Sequence, residues 1–215
     1  DSGVPAAIGY AAEAELPFEL GIIRNHYVGR TFIEPTDQIR HLGVKLKHNA
    51  NRGRLEGKKV ILVDDSIVRG TTCNEIIQMA REAGARKVYF ASAAPAVKYP
   101  NVYGIDMPVA QELIAHGRTT DEIGELIGAD RLIYQDLDDL IKALQYDNGD
   151  IKEFDTSGFS GNYVTGDVTG EFLGHVGRER SDDAKTRMKA LRAVLDGDDD
   201  LESGEAGTDS AAGIA

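Results

Sequence analysis

The sequence contains a single cysteine, and no apolar run approaches the ~20 residues needed to span a bilayer. Cys73 alone cannot form an intramolecular disulfide or a cysteine-based metal site, which favours a reducing cytoplasm. The chain also lacks an initiating methionine and the basic-then-apolar pattern of a secretory signal. We therefore expect a cytoplasmic protein with no membrane role, whose first residue lies inside a longer polypeptide.

Charge is unevenly distributed along the 215 residues, whose net charge is −12. The segment from Asp196 onward holds seven acidic residues and no Lys or Arg, so it carries −7. Residues 40–59 hold seven basic residues against Glu56 alone, which gives a local charge of +6. Such an island indicates a polyanionic ligand, and a solvated basic surface is the alternative. Its acidic flanks and few aromatic residues argue against nucleic acid and favour a small polyphosphate.

A strand, a loop, a helix and a second strand follow one another in the middle of the chain. The apolar run 60–63 predicts a parallel strand that is covered on both faces. Thr72 and Glu75 have the spacing of a capping box and predict a helix start, and a second strand is expected over 88–91. The ligand site of such a right-handed βαβ unit lies at the carboxyl ends of the strands, where residues 64–72 fall.

The remaining periodicity predicts an α/β domain over residues 1–146. Residues 147–195 are expected to form an extension, irregular with short β pieces as far as 177 and helical after Ser181. Residues 196–215 form an acidic tail that we expect to be disordered. Within the domain the pattern predicts helices over 109–116, 120–127 and 137–144 and a strand over 131–134.

The stretch VILVDDSIVRGTT, residues 60–72, places two carboxylates beside a loop suited to phosphate. A helix N-terminus presents free N–H groups and partial positive charge, and Gly70 lets the backbone approach a ligand closely. The chain has neither G-x-x-x-x-G-K-[ST] nor G-x-G-x-x-G, so this is not a P-loop or a dinucleotide fingerprint. Neighbouring residues at a strand end point to opposite sides. Asp64 and Asp65 can therefore reach sugar hydroxyls, or a Mg²⁺ ion that holds phosphate oxygens.

The same stretch resembles the phosphoribosyl-pyrophosphate (PRPP) signature of type I phosphoribosyltransferases. DSGVPAAIGYA at the N-terminus and GIIRNHYVGRTFIEP at 21–35 resemble the pyrophosphate loop and the mobile catalytic loop of the amidophosphoribosyltransferase family, the glutamine PRPP amidotransferases. VYGIDMPVAQELIAHGR and GADRLIYQDLDDLI are similar to that family too, and the likeness runs from residue 1 to about 170. It implies the type I phosphoribosyltransferase fold, a mainly parallel sheet flanked by helices, here truncated at its N-terminus.

The resemblance implies the first committed step of purine synthesis, in which ammonia from glutamine displaces pyrophosphate from PRPP to give 5-phosphoribosylamine. It implies Mg²⁺ held by Asp64, Asp65 and Ser2, with the two aspartates also on the ribose hydroxyls. It places Arg30, Thr31 and Lys47 at the reacting pyrophosphate and Tyr27 along the path of ammonia. The other substrate-binding positions that it implies are Asp1 and Gly3 for pyrophosphate, and Ser66, Ile67, Val68, Arg69, Gly70, Thr71 and Thr72 for the 5-phosphate.

The resemblance also shows what this chain lacks. Full-length relatives carry a glutaminase domain on the same chain, and the first residue of that domain is a nucleophilic cysteine. Cys73 is not expected to take that role, because it lies early in a helix, where a small buried residue is common; we expect it to be a packing residue. Relatives with an iron–sulfur cluster hold it through four cysteines, so we expect no cluster here. The family resemblance implies a homo-oligomer, and the charge pattern described above argues against a nucleic-acid partner.

Two other functions fit parts of the pattern. VILVDD followed by Asp106 resembles a receiver-type signalling module, although the Gly-Thr-Thr loop has no place in one. A non-catalytic PRPP-binding regulatory protein would keep the same site without turnover. If acetyl phosphate phosphorylated Asp106, the result would favour the receiver module. Tight PRPP binding without turnover would favour the regulatory protein.

Overall fold

The described part of the chain is an α/β structure around a parallel sheet, as the sequence predicts. The computed structural model describes residues 2–25, 48–105, 107–146 and 148–180, with the backbone alone for 179 and 180. The strands are β1 Ile22–Arg24, β2 His48–Ala50, β3 Lys59–Asp64, β4 Lys87–Ser92 and β5 Arg131–Tyr134. The helices are α1 Gly3–Glu13, α2 Arg52–Leu55, α3 Thr71–Glu82, α4 Thr120–Ile127, α5 Leu137–Gln145, α6 Ser157–Ser160 and α7 Gly170–Arg180, with a 3₁₀ turn at Ala110–Glu112.

The parallel sheet has the strand order β3-β4-β5, and its strands end at the same edge. Asp64 is in register with Ser92, and Ser92 with Tyr134. A separate antiparallel pair joins β1 to β2. Helix α3 crosses over from β3 to β4 and buries a row of residues, Ile77 among them, at helical spacing in the core shared with both strands. The sheet therefore fixes where the residues that follow β3 are placed.

Most of the predicted elements of the domain are confirmed, and three local predictions are wrong. Thr72 and Glu75 do not form a capping box, because α3 begins at Thr71 and its N-cap is Gly70, which makes no side-chain cap bond. Residues 109–116 contain the short 3₁₀ turn and not a helix. The region 147–177, expected to hold short β pieces, shows α6 and the start of α7 and no strand among its described residues.

Several predictions remain untested by the fold. The expected helix after Ser181 and the acidic tail lie outside the described residues, and the domain boundaries stay predictions. None of the helices in the described ranges is both long and apolar enough to cross a bilayer.

Asp130 ties the turn before β5 to the start of β4. Its Oδ2 accepts hydrogen bonds from the Val88 N–H at 2.8 Å and from Arg81 Nη2 at 2.9 Å, and Lys87 Nζ lies 3.5 Å from Oδ1. The Val88 N–H bond, followed by the Arg81 bond and charge, holds the pKa of this carboxyl below its usual value. The charged form is therefore the one that stabilises the fold.

We expect Asp130→Ala to lower the free energy of unfolding by about 1–2 kcal/mol near neutral pH, because a charge-assisted hydrogen bond to the backbone is lost. A depressed pKa contributes stability that is complete above the unfolded-state pKa, about 3.9, and is lost as the pH falls through the folded-state pKa. Urea unfolding of the wild-type protein and of Asp130→Ala should be measured from neutral pH down to acid. The difference between their free energies of unfolding should shrink as the pH falls. Asp139→Asn, which removes the charge from the exposed pair with Lys142, should leave the free energy of unfolding nearly unchanged. An equal loss at every pH would contradict the role of charge.

Candidate functional site

The two adjacent carboxylates lie where β3 ends and the chain turns away from the sheet. Asp64 is the last residue of β3, and its carbonyl oxygen accepts a hydrogen bond from the Ala93 N–H just beyond β4. Asp64 Oδ1 accepts the Asp65 N–H at 3.0 Å, and Asp65 Oδ1 accepts the Ser66 N–H at 2.7 Å. Each carboxylate thus accepts the N–H of the next residue and stabilises the start of the turn. As predicted from the sequence, both aspartates lie at this edge of the sheet.

The turn leads directly into the N-terminus of α3. Gly70 has φ +82°, in the left-handed region that glycine adopts without strain, and the helix begins at the next residue. The Asn74 N–H donates to the Gly70 carbonyl as the first helical bond, so the N–H groups before it are directed out of the helix end. Such a helix start carries partial positive charge and is suited to phosphate.

A segment that is remote in sequence holds the turn from behind; we call residues 109–116 the bracing segment. The Ile114 N–H donates to the Val68 carbonyl at 2.9 Å. A Cβ placed on Gly70 would lie 2.4 Å from Ile114 Cδ1, so the two residues are in close contact. Arg69 donates from Nε and Nη2 to Glu112 Oε2, at 3.2 and 2.7 Å. Sequence analysis missed Glu112 and Ile114, because the pairing spans more than 40 residues and has no local signal.

The N-terminus of α1 meets the same acidic edge. A Cβ on Gly3 would lie 2.9 Å from Asp64 Cα and 2.9 Å from the Val63 carbonyl oxygen. Ser2, the residue before it, has helical angles (φ −64°, ψ −31°) and makes no side-chain cap bond. The predicted pyrophosphate-binding residue and the predicted metal ligand are therefore brought to the aspartates by the close packing of α1 on β3.

Cys73 lies in the first turn of α3, close enough to both aspartates for their charges to act on it. The thiol is buried, and burial followed by the charge of Asp64 raises its pKa well above the usual value. A thiol kept protonated is a poor nucleophile. The side chain therefore packs in the core, as the sequence predicts.

A cleft of about 1690 Å³ opens at this edge and extends along β3. Its lining includes Ser2, Gly3, both aspartates, and the turn residues from Ser66 to Thr72 apart from Ile67, which is fully buried. No group of three or more His, Cys, Asp or Glu side chains in the described ranges forms a ready-made metal site. Two carboxylates still fit Mg²⁺, which is commonly held by one or two carboxylates, waters and the phosphates of a substrate. Within the described part of the chain, Asp65 uses Oδ1 for its own turn, and Oδ2 makes no hydrogen bond.

The remaining predicted site residues, Asp1, Tyr27, Arg30, Thr31 and Lys47, lie outside the described residues, as does Asp106 of the receiver hypothesis. The structure brings together the acidic pair, the start of α1 and residues 66–72, which we call the phosphate turn after their predicted ligand. The roles predicted for Tyr27, Arg30, Thr31 and Lys47 stay predictions.

Comparison with known proteins gives a consistent result. The chain is 53% identical over 196 residues to amidophosphoribosyltransferase of Pseudomonas aeruginosa, covering 91% of this chain and 39% of that protein. It is 59% identical over 169 residues to amidophosphoribosyltransferase of Escherichia coli, covering 79% of this chain and 34% of that protein. No family model matches the chain.

A solved structure is similar as well. Glutamine PRPP amidotransferase from B. subtilis, complexed with ADP and GMP, matches with a TM-score of 0.64 and 44% identity, covering 76% of this chain and 36% of that chain. The present chain thus spans less than two fifths of the length of these relatives.

Proposed function

Since the chain belongs to the amidophosphoribosyltransferase family and matches its C-terminal phosphoribosyltransferase part, we propose that it binds PRPP and transfers ammonia to it. The products would be 5-phosphoribosylamine and pyrophosphate, in the first committed step of purine synthesis. The observation that carries this proposal is the geometry after β3, where an acidic pair is followed directly by a turn whose amides open a helix. We expect this arrangement to bind a sugar that carries phosphate at one end and pyrophosphate at the other.

The turn and the aspartates would act on different parts of the substrate. The 5-phosphate would lie on the N–H groups and hydroxyls between Ser66 and Thr72, where the helix start favours negative charge. The carboxylates of Asp64 and Asp65 would hold the ribose hydroxyls and so fix the anomeric carbon relative to the phosphate. Such positioning lowers the entropic part of the barrier.

The reaction would be a displacement at the anomeric carbon. The lone pair of ammonia forms the new C–N bond as the C–O bond to pyrophosphate breaks, the leaving group takes the bonding electrons, and the nitrogen then loses a proton. In-line attack inverts the anomeric centre. Bound Mg²⁺ would supply positive charge to the leaving pyrophosphate, and Asp64, Asp65 and Ser2 are the residues that would hold it.

The family resemblance assigns the rest of the machinery. Arg30, Thr31 and Lys47 would stabilise the charge that develops on pyrophosphate, and Tyr27 would line the path of ammonia. A basic segment that covers the substrate would also keep water from the oxocarbenium-like sugar. In the full-length protein, ammonia would come from a glutaminase domain that hydrolyses glutamine. We further propose a cytoplasmic homo-oligomer.

The test is pyrophosphate release by the full-length protein. PRPP with ammonia and Mg²⁺ should give one pyrophosphate per 5-phosphoribosylamine formed, and omission of any one component should stop release. Tight PRPP binding without turnover would instead identify a non-catalytic PRPP-binding regulator. Phosphorylation of Asp106 by acetyl phosphate without PRPP binding would identify a receiver module, a class to which none of the relatives named above belongs.

A further inference from the structure

Arg69 is the one cationic residue within the phosphate turn, yet its guanidinium is already engaged. Both Nε and Nη2 donate to Glu112 Oε2, at 3.2 and 2.7 Å. The Arg69 and Glu112 side chains are 16% and 22% exposed, so the pair is largely withdrawn from solvent. Among the described residues that line the cleft, Arg69 is present and Glu112 is not. The guanidinium is therefore drawn toward the wall of the cleft.

Glu112 belongs to a set of contacts that fix three consecutive turn residues. The Val68 carbonyl accepts the Ile114 N–H, Arg69 pairs with Glu112, and Gly70 lies against the Ile114 side chain. The bracing segment is itself anchored, because Leu113 is fully buried and Arg118 Nη1 donates to the Ile114 carbonyl at 3.0 Å. A hydrogen bond, an ion pair and a packing contact thus hold one side of the turn.

We propose that Glu112 is a positioning residue for the phosphate turn, and that it acts through Arg69. Arg69 lines the same cleft as Asp64 and Asp65, so an unpaired guanidinium would be attracted to their carboxylates, which the proposed reaction needs for sugar and Mg²⁺. Pairing with Glu112 removes that competition and leaves phosphate to the backbone amides. The inference rests on the proposed function for the identity of the ligand, but its structural part concerns only how the turn is held in place.

The structural part can be tested without substrate. Glu112→Gln keeps the shape of the side chain and an oxygen that can accept from Arg69, so folding is retained while the charge is lost. In the full-length protein, hydrogen exchange of the amides at 68–73 should become about tenfold faster, because a hydrogen bond to a charged acceptor is replaced by a weaker bond to a neutral one. Asp139→Asn, which removes a carboxylate paired with Lys142 on α5, is the matched control and should leave exchange at 68–73 unchanged.

The ligand part is measured by calorimetry and kinetics with PRPP and Mg²⁺. Glu112→Gln should raise the Kd and the KM for PRPP about tenfold, with kcat within about twofold, because the 5-phosphate is bound alike before and during the reaction. Arg69→Gln should have a similar effect, and the double variant should be little worse than either single variant, since the two side chains act as a unit.

Three outcomes separate the possibilities. Unchanged exchange at 68–73 in Glu112→Gln overturns the positioning role. A much larger loss of PRPP binding in Arg69→Gln than in Glu112→Gln, with additive effects, also overturns it, because Arg69 would then contact the phosphate directly. A wild-type protein that fails to bind PRPP refutes the proposed function, while the exchange measurement still decides the role of Glu112.

Discussion

Replacing Asp64 or Asp65 by asparagine is expected to lower kcat/KM for PRPP on the order of a hundredfold to a thousandfold, the range measured when one electrostatic donor of a transition state is removed. The local fold should survive, because each asparagine keeps an oxygen that can accept the Asp65 N–H or the Ser66 N–H, as the carboxylates do. What is lost is negative charge at the place where the sugar and Mg²⁺ would be held.

The measurement is the initial rate of pyrophosphate release over a range of Mg²⁺ concentrations. Both variants should need more Mg²⁺ for half-maximal rate, and the double variant should show no release above background. Asp121→Asn removes an equal charge from an exposed position in the first turn of α4 and should behave as wild type. If both single variants took up PRPP with unchanged Mg²⁺ dependence, the assignment of the acidic pair would be wrong.

The position of the acidic pair was predictable from sequence because it depends on local pattern. The apolar run 60–63 identifies a buried parallel strand, and its carboxyl end is the ligand-binding edge of such a sheet. Register within the strand then fixes Asp64 as the last strand residue, beside Ser92 of β4. The position of the phosphate turn was predictable from local pattern as well, because the turn connects β3 directly to α3.

The capping box shows where a local rule was insufficient. Two Thr-x-x-Glu sequences occur at helix starts, and the box forms at the N-cap Thr119 with Glu122 but not at Thr72 and Glu75, which both lie inside α3. Glu122 is exposed and free to reach back to its N-cap, whereas Glu75 is 6% exposed and packs in the body of α3. Burial, which depends on the tertiary fold, decided between two equal sequence signals.

The bracing segment shows the limit of periodicity. Its apolar residues have helical spacing, but the Ile114 N–H bonds to the Val68 carbonyl, and Leu113 has extended angles (φ −75°, ψ 122°). A helix there would have used that N–H within its own backbone. The contact with the phosphate turn, remote in sequence, therefore overrides the local preference, and for the same reason Glu112 was missed.

Gly3→Ala is expected to reduce both stability and activity, because a methyl group at this position has no space. Its Cβ would lie 2.9 Å from Asp64 Cα and from the Val63 carbonyl oxygen, and the backbone atoms of a hydrogen-bonded strand cannot rotate away as a side chain can. Overpacking of this kind costs about 1–3 kcal/mol. The start of α1 must shift away from the acidic edge, which should lower kcat/KM for PRPP about tenfold to a hundredfold.

Gly9→Ala in the same helix is the matched control, since a Cβ there has no atom within 4 Å apart from its chain neighbours and the backbone of its own helix. Alanine in a helix interior is favoured over glycine by about 0.5–1 kcal/mol, so this variant should unfold at a slightly higher temperature and keep full activity. Gly3→Ala should therefore lower the stability and Gly9→Ala should raise it. This difference distinguishes the effect of the close contact with Asp64 from the effect of helix propensity. If Gly3→Ala instead gained stability and kept its activity, α1 would not pack on the acidic edge in the full-length protein, and Ser2 could not be brought to the metal by this packing.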